Sequence, residues 1–180
     1  MRKGNLLIAI IIACIIFGSC KDSHTFIGNI EPLINESYYP CVYSEIASAR
    51  SYVHIAMFAM KAGGEDEHPV DSLLNLLCRI NDSVDVKVIL EMDYGDIEST
   101  NSYALDYLVR NNVQVRRDPE GITTHAKLIV IDDAVVIVGS TNWTYSAFYD
   151  NNETAVLIRN SDIAGKFNEF FEELWQKSSE

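Results

Sequence analysis

Two basic side chains sit at the start of an apolar segment where sheet construction alone does not require them. His125 and Lys127 are two residues apart, so on a strand their side chains lie on the same face. The residues that follow are apolar, and a buried ammonium without a partner is costly. We therefore expect Lys127 to bind an anion at this position.

Three further polar residues could complete a site around this pair. Ser140 and Asn142 follow an apolar run, and they carry a hydroxyl and an amide that can donate hydrogen bonds to an anion. Glu153 precedes another apolar segment, and its carboxylate could hold one imidazole nitrogen of His125 as N–H. The other nitrogen would then be free as a nucleophile. The residue types therefore predict nucleophilic chemistry on a bound anion.

The elements that must position these side chains are two adjacent strands. Leu128–Ile131 and Ala134–Val138 are apolar, β-branched runs separated by Asp132 and Asp133, which predicts a tight turn between two strands. Neither run alternates cleanly between apolar and polar residues. We therefore expect both strands to be covered on both faces of the sheet.

The ordered series resembles the HKD motif of the phospholipase D superfamily, and the region from about Tyr38 to the C-terminus is similar to its single-motif members. The resemblance is to bacterial phospholipase D-like endonucleases and to cardiolipin-hydrolase-type phospholipases. The residues that carry it are His125, Lys127, Asp132, Gly139, Ser140, Asn142 and Glu153. The single residues have simpler explanations, such as a strand-end lysine or a strand-terminating Gly-Ser pair. Their joint spacing favours the motif.

The resemblance implies a mechanism for each of these residues. His125 would attack phosphorus to give a covalent phosphohistidine, while Lys127 and Asn142 bind the non-bridging oxygens with help from Ser140. Glu153 would orient His125. We expect Asp132, although part of the motif, to anchor the turn rather than to transfer protons. No metal and no cofactor is implied.

A single motif is insufficient for this chemistry. One imidazole must attack while another protonates the leaving alkoxide and later activates water. The chain contains no second His-x-Lys pair. The resemblance therefore implies a homodimer that pairs two HKD motifs across a two-fold axis.

The N-terminus is typical of an export signal. Arg2 and Lys3 precede the apolar run Leu6–Phe17, which is short for a membrane span, and Gly18-Ser19-Cys20 follows. We predict a lipoprotein-type signal peptide over residues 1–19, lipidation of Cys20, a tether over 20–37 and a phospholipase D-like catalytic domain over 38–180. The protein would then be anchored in the cell envelope; plain secretion or an uncleaved N-terminal anchor remain alternatives.

The acidic composition bears on the substrate. The chain has 14 basic and 26 acidic residues and a net charge of −12, and loss of Arg2 and Lys3 with the signal would make this about −14. Proteins that bind nucleic acid through phosphates usually show a basic surface, and none is visible here. We therefore favour hydrolysis of phospholipids at the membrane surface, with a non-specific endonuclease as the alternative.

Helical and strand patterns alternate along the remaining chain. Periodicity predicts helices around Val42–Ala49, Val70–Leu77, Ser99–Arg110 (with Ser99 as N-cap) and Ile163–Trp175, and strands at Tyr52–Met60, Val84–Glu91, Val113–Arg117 and Thr154–Ile158. This order predicts one α/β domain, a mixed or parallel sheet with helices on both faces. His54 is predicted to be a hydrogen-bonded core histidine.

Two residue groups have open interpretations. Cys41 and Cys78 both fall in predicted helices, where separate thiols and a disulfide are each allowed in an exported domain. The acidic residues Glu91, Asp93, Asp96 and Glu98 could suggest calcium, but they lack the EF-hand spacing. We therefore predict no metal site.

Overall fold

The computed structural model describes residues 30–63 and 68–179, which form a seven-stranded sheet with helices on both faces. The strands are β1 (Ile30–Ile34), β2 (Tyr52–Met57), β3 (Asp85–Leu90), β4 (Gln114–Arg117), β5 (Lys127–Ile131), β6 (Val135–Gly139) and β7 (Thr154–Arg159). The helices are α1 (Tyr38–Ala47), α2 (Pro69–Ile80), α3 (Ile97–Arg110), α4 (Tyr145–Tyr149) and α5 (Ser161–Lys177), and a single 3-10 turn lies at Asn35–Ser37. The predicted fold class is confirmed.

The sheet is mixed, in the order β1-β7-β6-β5-β2-β3-β4. Strands β2, β3 and β4 run parallel to one another, whereas β5, β6, β7 and β1 each run antiparallel to their neighbours. The C-terminal ends of β2, β3, β4 and β6 therefore share one edge with the N-terminal ends of β5 and β7. This edge is called the active edge below, because the candidate site lies on it.

Each face of the sheet has its own core. Helices α1, α2 and α3 cover one face, where Val42, Ile46 and Leu73 are fully buried. Helix α5 covers the other face with Phe171 and Trp175. All five residues of β5 are buried, as expected for a strand that is covered on both faces.

The β5–β6 connection is a tight three-residue turn, residues 132–134. Asp132 and Asp133 have φ of 56° and 48°, the left-handed values that a tight hairpin turn requires. The Asp132 carboxylate accepts hydrogen bonds from three successive backbone N–H groups, those of Arg50, Ser51 and Tyr52, at 2.8, 2.8 and 2.9 Å. Asp132 thus ties the turn to the start of β2, about 16 Å along β5 from Lys127.

Several boundaries differ from the sequence predictions. The tether prediction is wrong for residues 30–37, because Ile30–Ile34 pairs with β7 as an edge strand. Helix α3 begins at Ile97 rather than after a Ser99 cap; the Ser99 hydroxyl donates to the Asp96 carbonyl at 2.8 Å inside the first turn. The strand predicted to reach Met60 ends at Met57, and α4 was not predicted.

The predicted signal peptide and Cys20 lie outside the described residues, as does the centre of the loop before α2. Within residues 30–63 and 68–179, no helix combines the length and apolar character needed to cross a membrane. No disulfide joins Cys41 of α1 to Cys78 of α2 in this part of the chain.

Candidate active site

The candidate site lies where the ends of four strands, β2, β5, β6 and β7, meet on the active edge. Lys127 is the first residue of β5, Gly139 is the last of β6, and Glu153 immediately precedes β7. The chain that leaves β2 lies between the segment before β5 and the segment after β6. The Phe58 N–H donates to the Ala126 carbonyl at 2.9 Å, and the Trp143 N–H donates to the Ala59 carbonyl at 2.9 Å. The topology therefore brings residues 125–127, 140–143 and 153 to one place.

Lys127 is a buried cation that forms no ion pair with any residue the structure describes. Its side chain is 6% exposed, its Nζ lies 4.6 Å from the centre of the Phe58 ring, and its one hydrogen bond within residues 30–63 and 68–179 goes to the His125 carbonyl at 3.0 Å. Burial lowers the pKa of Lys127, and the nearby charge of Glu153 opposes this effect. The ammonium therefore retains donors that could bind an anion, as the sequence predicts.

His125 is exposed and packs against the same aromatic ring. Its imidazole centre lies 4.5 Å from that of Phe58, at an interplanar angle of 58°. The ring makes no hydrogen bond with any residue that the structure describes. The backbone on either side is hydrogen-bonded, at the Thr124 N–H and at the Ala126 carbonyl. The imidazole is thus held by its tilted contact with the Phe58 ring and by backbone contacts, with its nitrogens available to solvent or substrate.

Glu153 does not contact His125, so the predicted hydrogen bond between them is wrong for a single chain. One Glu153 carboxylate oxygen accepts from the Ser140 hydroxyl and the other accepts from the Asn151 amide at 3.1 Å. Its backbone N–H donates to the Asn35 side chain at 2.9 Å. Glu153 is therefore a buried, fixed carboxylate whose charge acts on Lys127.

The Ser140 hydroxyl, predicted to assist phosphate binding, is hydrogen-bonded within the protein. It donates to Glu153 and accepts from the Thr154 N–H at 3.1 Å. In this structure Ser140 therefore holds the Glu153 carboxylate, and its contact with phosphate stays a prediction. The preceding Gly139 is needed because a Cβ there would collide with the Thr154 carbonyl oxygen and with Ala155 on β7.

Asn142 remains a candidate phosphate ligand. Its side-chain carbonyl oxygen is buried and has no hydrogen-bond partner, and its amide nitrogen makes no hydrogen bond within the described parts of the chain. An asparagine amide without protein partners, next to a segment fixed by β2, can donate to a bound anion. Lys127 and Asn142 therefore both lie on the active edge with N–H donors that no described residue uses.

Two buried groups that support the site were missed in the sequence. Asn101 of α3 is fully buried and makes three hydrogen bonds to two loops, accepting from the Met60 N–H and donating to the carbonyls of Phe58 and Glu91. Asp118, which follows β4, contacts Glu91 beside Thr124. The only sequence signal was that Glu91 ends an apolar run, and there it was considered only as one of four acidic residues that could suggest calcium. No group of metal-binding side chains occurs among the residues described.

His54 is buried on the α5 face, away from this site. Its ring stacks between Tyr52 and Phe171 at 4.3 and 4.5 Å, and Nδ1 lies 2.7 Å from the Asn168 side-chain oxygen. Burial lowers its pKa. The prediction of a core histidine is confirmed, although Nε2 is buried without a hydrogen bond.

Sequence comparisons identify relatives of this chain. The family described as cardiolipin synthase, PLD-like domain, matches residues 42–175. Mitochondrial cardiolipin hydrolase of Mus musculus is 32% identical over 94 residues, which cover 52% of this chain and 41% of that protein. The Xenopus laevis protein of the same name is 33% identical over 94 residues, with 52% and 43% covered. The matched region thus spans less than half the length of these relatives.

Structural comparisons find the same fold elsewhere. A phospholipase D family member, Nuc from Salmonella typhimurium, superimposes with a TM-score of 0.70 at 24% identity, over 83% of this chain and 96% of that chain. NucT from Helicobacter pylori superimposes with a TM-score of 0.67 at 18% identity, over 83% and 97%. At these identities the likeness establishes the fold.

Proposed function

The chain belongs to the phospholipase D superfamily, and from this premise we propose that it hydrolyses phosphodiesters through a covalent phosphohistidine on His125. The observation that carries the proposal is the unpaired, buried ammonium of Lys127 directly beside an exposed imidazole. Both side chains pack on Phe58. A phosphate bound to Lys127 would therefore lie within reach of the His125 nucleophile.

The proposed reaction has two steps. A neutral nitrogen of His125 attacks phosphorus, the bond to the leaving oxygen breaks, and a second, protonated imidazole gives that oxygen its proton. The second imidazole then takes a proton from water, and the resulting hydroxide displaces His125 from phosphorus. Lys127 and Asn142 would stabilise the charge on the non-bridging oxygens throughout.

The second imidazole leads to a proposed homodimer. In the part of the chain that the structure describes, His54 is buried on the far face and His68 lies at the start of α2, where Nδ1 accepts from the Val70 N–H at 3.3 Å. Neither belongs to a His-x-Lys pair. We infer that His125 of a second copy supplies the acid, which requires the two active edges to face each other across a two-fold axis.

A zwitterionic phospholipid is the substrate that the active edge fits best. The exposed side chains that follow the strands on this edge are mostly acidic: Glu36, Asp93, Asp96, Glu120 and Asp150, against Lys61. A nucleic acid presents many phosphates to this surface, whereas one lipid head group presents a single phosphate to Lys127. A lipid anchor on Cys20 would also hold the site near head groups, in agreement with the proposed export.

One observation favours nucleic acid as a second candidate. Tyr94 and Tyr145 are 59% and 51% exposed in segments that follow β3 and β6. Exposed aromatic rings beside a phosphate site can stack bases with little sequence preference. The same rings could equally lie at a membrane interface, so they do not override the charge argument.

The test is direct hydrolysis by the full chain in EDTA. Phosphatidylcholine vesicles, plasmid DNA and single-stranded DNA are the substrates, with His125→Ala as the inactive variant and His68→Ala as a matched control outside the motif. We expect head-group release that only His125→Ala abolishes. Cut DNA with intact lipid would establish the second candidate, and no difference between wild type and His125→Ala on any substrate would refute the proposal.

The homodimer and the lipid anchor have separate tests. Sedimentation of the active protein should show a dimer, and an active monomer would refute the pairing of two motifs. A labelled fatty acid should be incorporated into the exported wild-type chain and not into Cys20→Ala. Incorporation into both chains would refute lipidation at Cys20.

A further inference from the structure

Two buried carboxyl groups lie directly behind the candidate nucleophile. Glu91 is fully buried after β3, and Asp118 is 4% exposed after β4. Because β3 and β4 are parallel, with Leu90 opposite Arg117, the next residue of each strand falls beside the other. Both carboxyl groups accept from the same backbone N–H, that of Thr124, so their oxygens lie close together. Carboxyl groups this close cannot readily both be ionised, so the pair favours binding one proton.

The pair holds the backbone that leads into His125. The Thr124 N–H donates to both carboxyls, to Glu91 Oε2 at 2.5 Å and to Asp118 Oδ2 at 3.2 Å. Thr124 is itself buried, at 6% exposure. No other side chain in residues 30–63 and 68–179 bonds the Thr124 amide, so this contact fixes the chain one residue before the nucleophile.

The remaining oxygens of the pair are fixed by the opposite loop. Glu91 Oε1 accepts from the N–H groups of Asp93 and Tyr94 at 2.8 and 3.0 Å, and Asp118 Oδ1 accepts from the Met92 N–H at 3.0 Å. The pair thus joins the segment after β3 to the segment before β5. Because the other oxygens of both carboxyls are hydrogen-bonded as well, the acceptors of the Thr124 N–H are held in fixed positions.

No cation neutralises the pair among the described residues. Arg117, the residue before Asp118, donates to Glu98 at 3.1 Å instead. From α3 the facing group is the neutral amide of Asn101, which bonds the Glu91 carbonyl at 2.8 Å, and Asp93 presents its N–H. Burial, followed by the contact with Glu91, raises the pKa of Asp118 to about 6, whereas hydrogen bonds outweigh burial and lower the pKa of Glu91.

We propose that Glu91 and Asp118 are positioning residues that share one proton and, through the Thr124 amide, hold His125 for attack on phosphorus. The proposal rests on the phosphodiesterase function proposed above, because it assigns the pair a role in that reaction. Neither carboxyl touches substrate. The proton is shared below about pH 6, and its loss at higher pH leaves two negative charges in contact behind the nucleophile.

Substitutions of Asp118 separate positioning from bulk stability. Asp118→Asn is a neutral analogue of the protonated pair, since its amide can donate to Glu91 and still accept from Met92. Asp118→Ala removes the contact and leaves Glu91 buried alone. Asp82→Asn is the matched control, because it removes an exposed carboxylate at the opposite edge of the sheet.

We expect Asp118→Ala to lower kcat by 10-fold or more with KM within about 2-fold, because Lys127 and Asn142 still bind phosphate. At pH 5.5, Asp118→Asn should keep kcat within about 3-fold of wild type. The ratio of wild-type to Asp118→Asn kcat should then fall as pH rises through 6. An unchanged kcat in Asp118→Ala, or a ratio independent of pH, would overturn the proposal.

Two readouts decide the matter even if the chain hydrolyses no phosphodiester. The pKa of Asp118 is raised on folding, so its contribution to stability is complete below pH 4 and is lost by pH 7. Relative to Asp118→Asn, the wild-type unfolding constant should rise on the order of 10- to 100-fold over that range.

The His125 imidazole resonances in NMR spectra should shift in Asp118→Ala and stay in place in Asp118→Asn and Asp82→Asn. A pH-independent difference, or unshifted resonances in Asp118→Ala, would refute positioning, whereas failure of the proposed function appears as absent turnover in wild type.

Discussion

Replacing Lys127 with methionine should abolish activity without destabilising the fold. The methionine side chain can keep the packing on Phe58 and lacks only the charge and the donor atoms. In wild type Lys127 is only 6% exposed and has no ion pair within the described residues. The Lys127 ammonium is therefore required by the site rather than by folding. Lys127→Met should lower activity and leave stability the same or higher.

The expected free energies can be worked from the Lys127 contacts. The hydrogen bond to the His125 carbonyl contributes about 1.5–3 kcal/mol and the cation–π contact about 0.5–2 kcal/mol, while removing an ammonium from water costs several kcal/mol. The sum is close to zero. Because burial lowers the pKa of Lys127, the unfolded chain binds more protons between that pKa and about 10.4, so stability rises with pH across that window. At neutral pH, Lys127→Met should therefore unfold at the same or a higher temperature.

Loss of transition-state stabilisation should be much larger. A single donor to a developing oxyanion contributes about 2.7–4 kcal/mol, so Lys127→Met should lower kcat/KM by about 100- to 1,000-fold. Lys61→Met is the matched control, because Lys61 is exposed on the same edge.

Inorganic phosphate provides an assay that needs no turnover. If the wild-type site binds phosphate with a Kd of about 1 mM, 10 mM phosphate would stabilise the fold by about 1.4 kcal/mol over chloride of equal ionic strength. Wild type and Lys61→Met should both gain this stability, and Lys127→Met should not. Equal stabilisation of all three proteins, or full activity of Lys127→Met, would refute the assignment of Lys127 as the phosphate ligand.

Three further substitutions test the framework of the site. Asp132→Ala should destabilise the fold by about 2–4 kcal/mol, since it removes the acceptor of three N–H groups, while kcat of the folded protein stays within about 2-fold; chemical denaturation and initial rates measure both. Gly139→Ala should cost about 1–3 kcal/mol or more through collision with β7, which thermal unfolding would show. Ser140→Ala should free one Glu153 oxygen and lower kcat more than it raises KM, whereas a direct phosphate ligand would mainly raise KM.

The fold was largely predictable because the buried strands are apolar and β-branched over their whole length. The apolar runs around Val53, Val86 and Ile129 are typical of strands in the interior of a sheet, where the structure buries them. Strand β1 was missed for the opposite reason. Four of its five residues are exposed, and Pro32 argues against a strand except at a sheet edge, where β1 lies.

The sequence predicted that the motif residues lie close together, but it did not predict which hydrogen bonds they form. The spacing of His125 and Lys127 fixed their neighbourhood, because the hairpin register then places residues 139–142 beside them. It did not show that Ser140 and Asn151 bond both oxygens of Glu153, since those bonds depend on the exact paths of two loops. Asp118 was invisible because its partner is 27 positions earlier in the chain and becomes a neighbour only through the parallel pairing of β3 and β4.

The arrangement explains why the reactive groups occupy strand ends while the strands themselves are dry. A strand interior in this sheet is covered on both faces and could not accommodate an unpaired charge. At the active edge, backbone groups that leave the sheet need partners, and Asn101, Glu91 and Asp118 supply them from buried side chains. Lys127 and His125 are left with donors and a nucleophile that no residue in the described part of the chain uses. Binding of a phosphodiester would satisfy both.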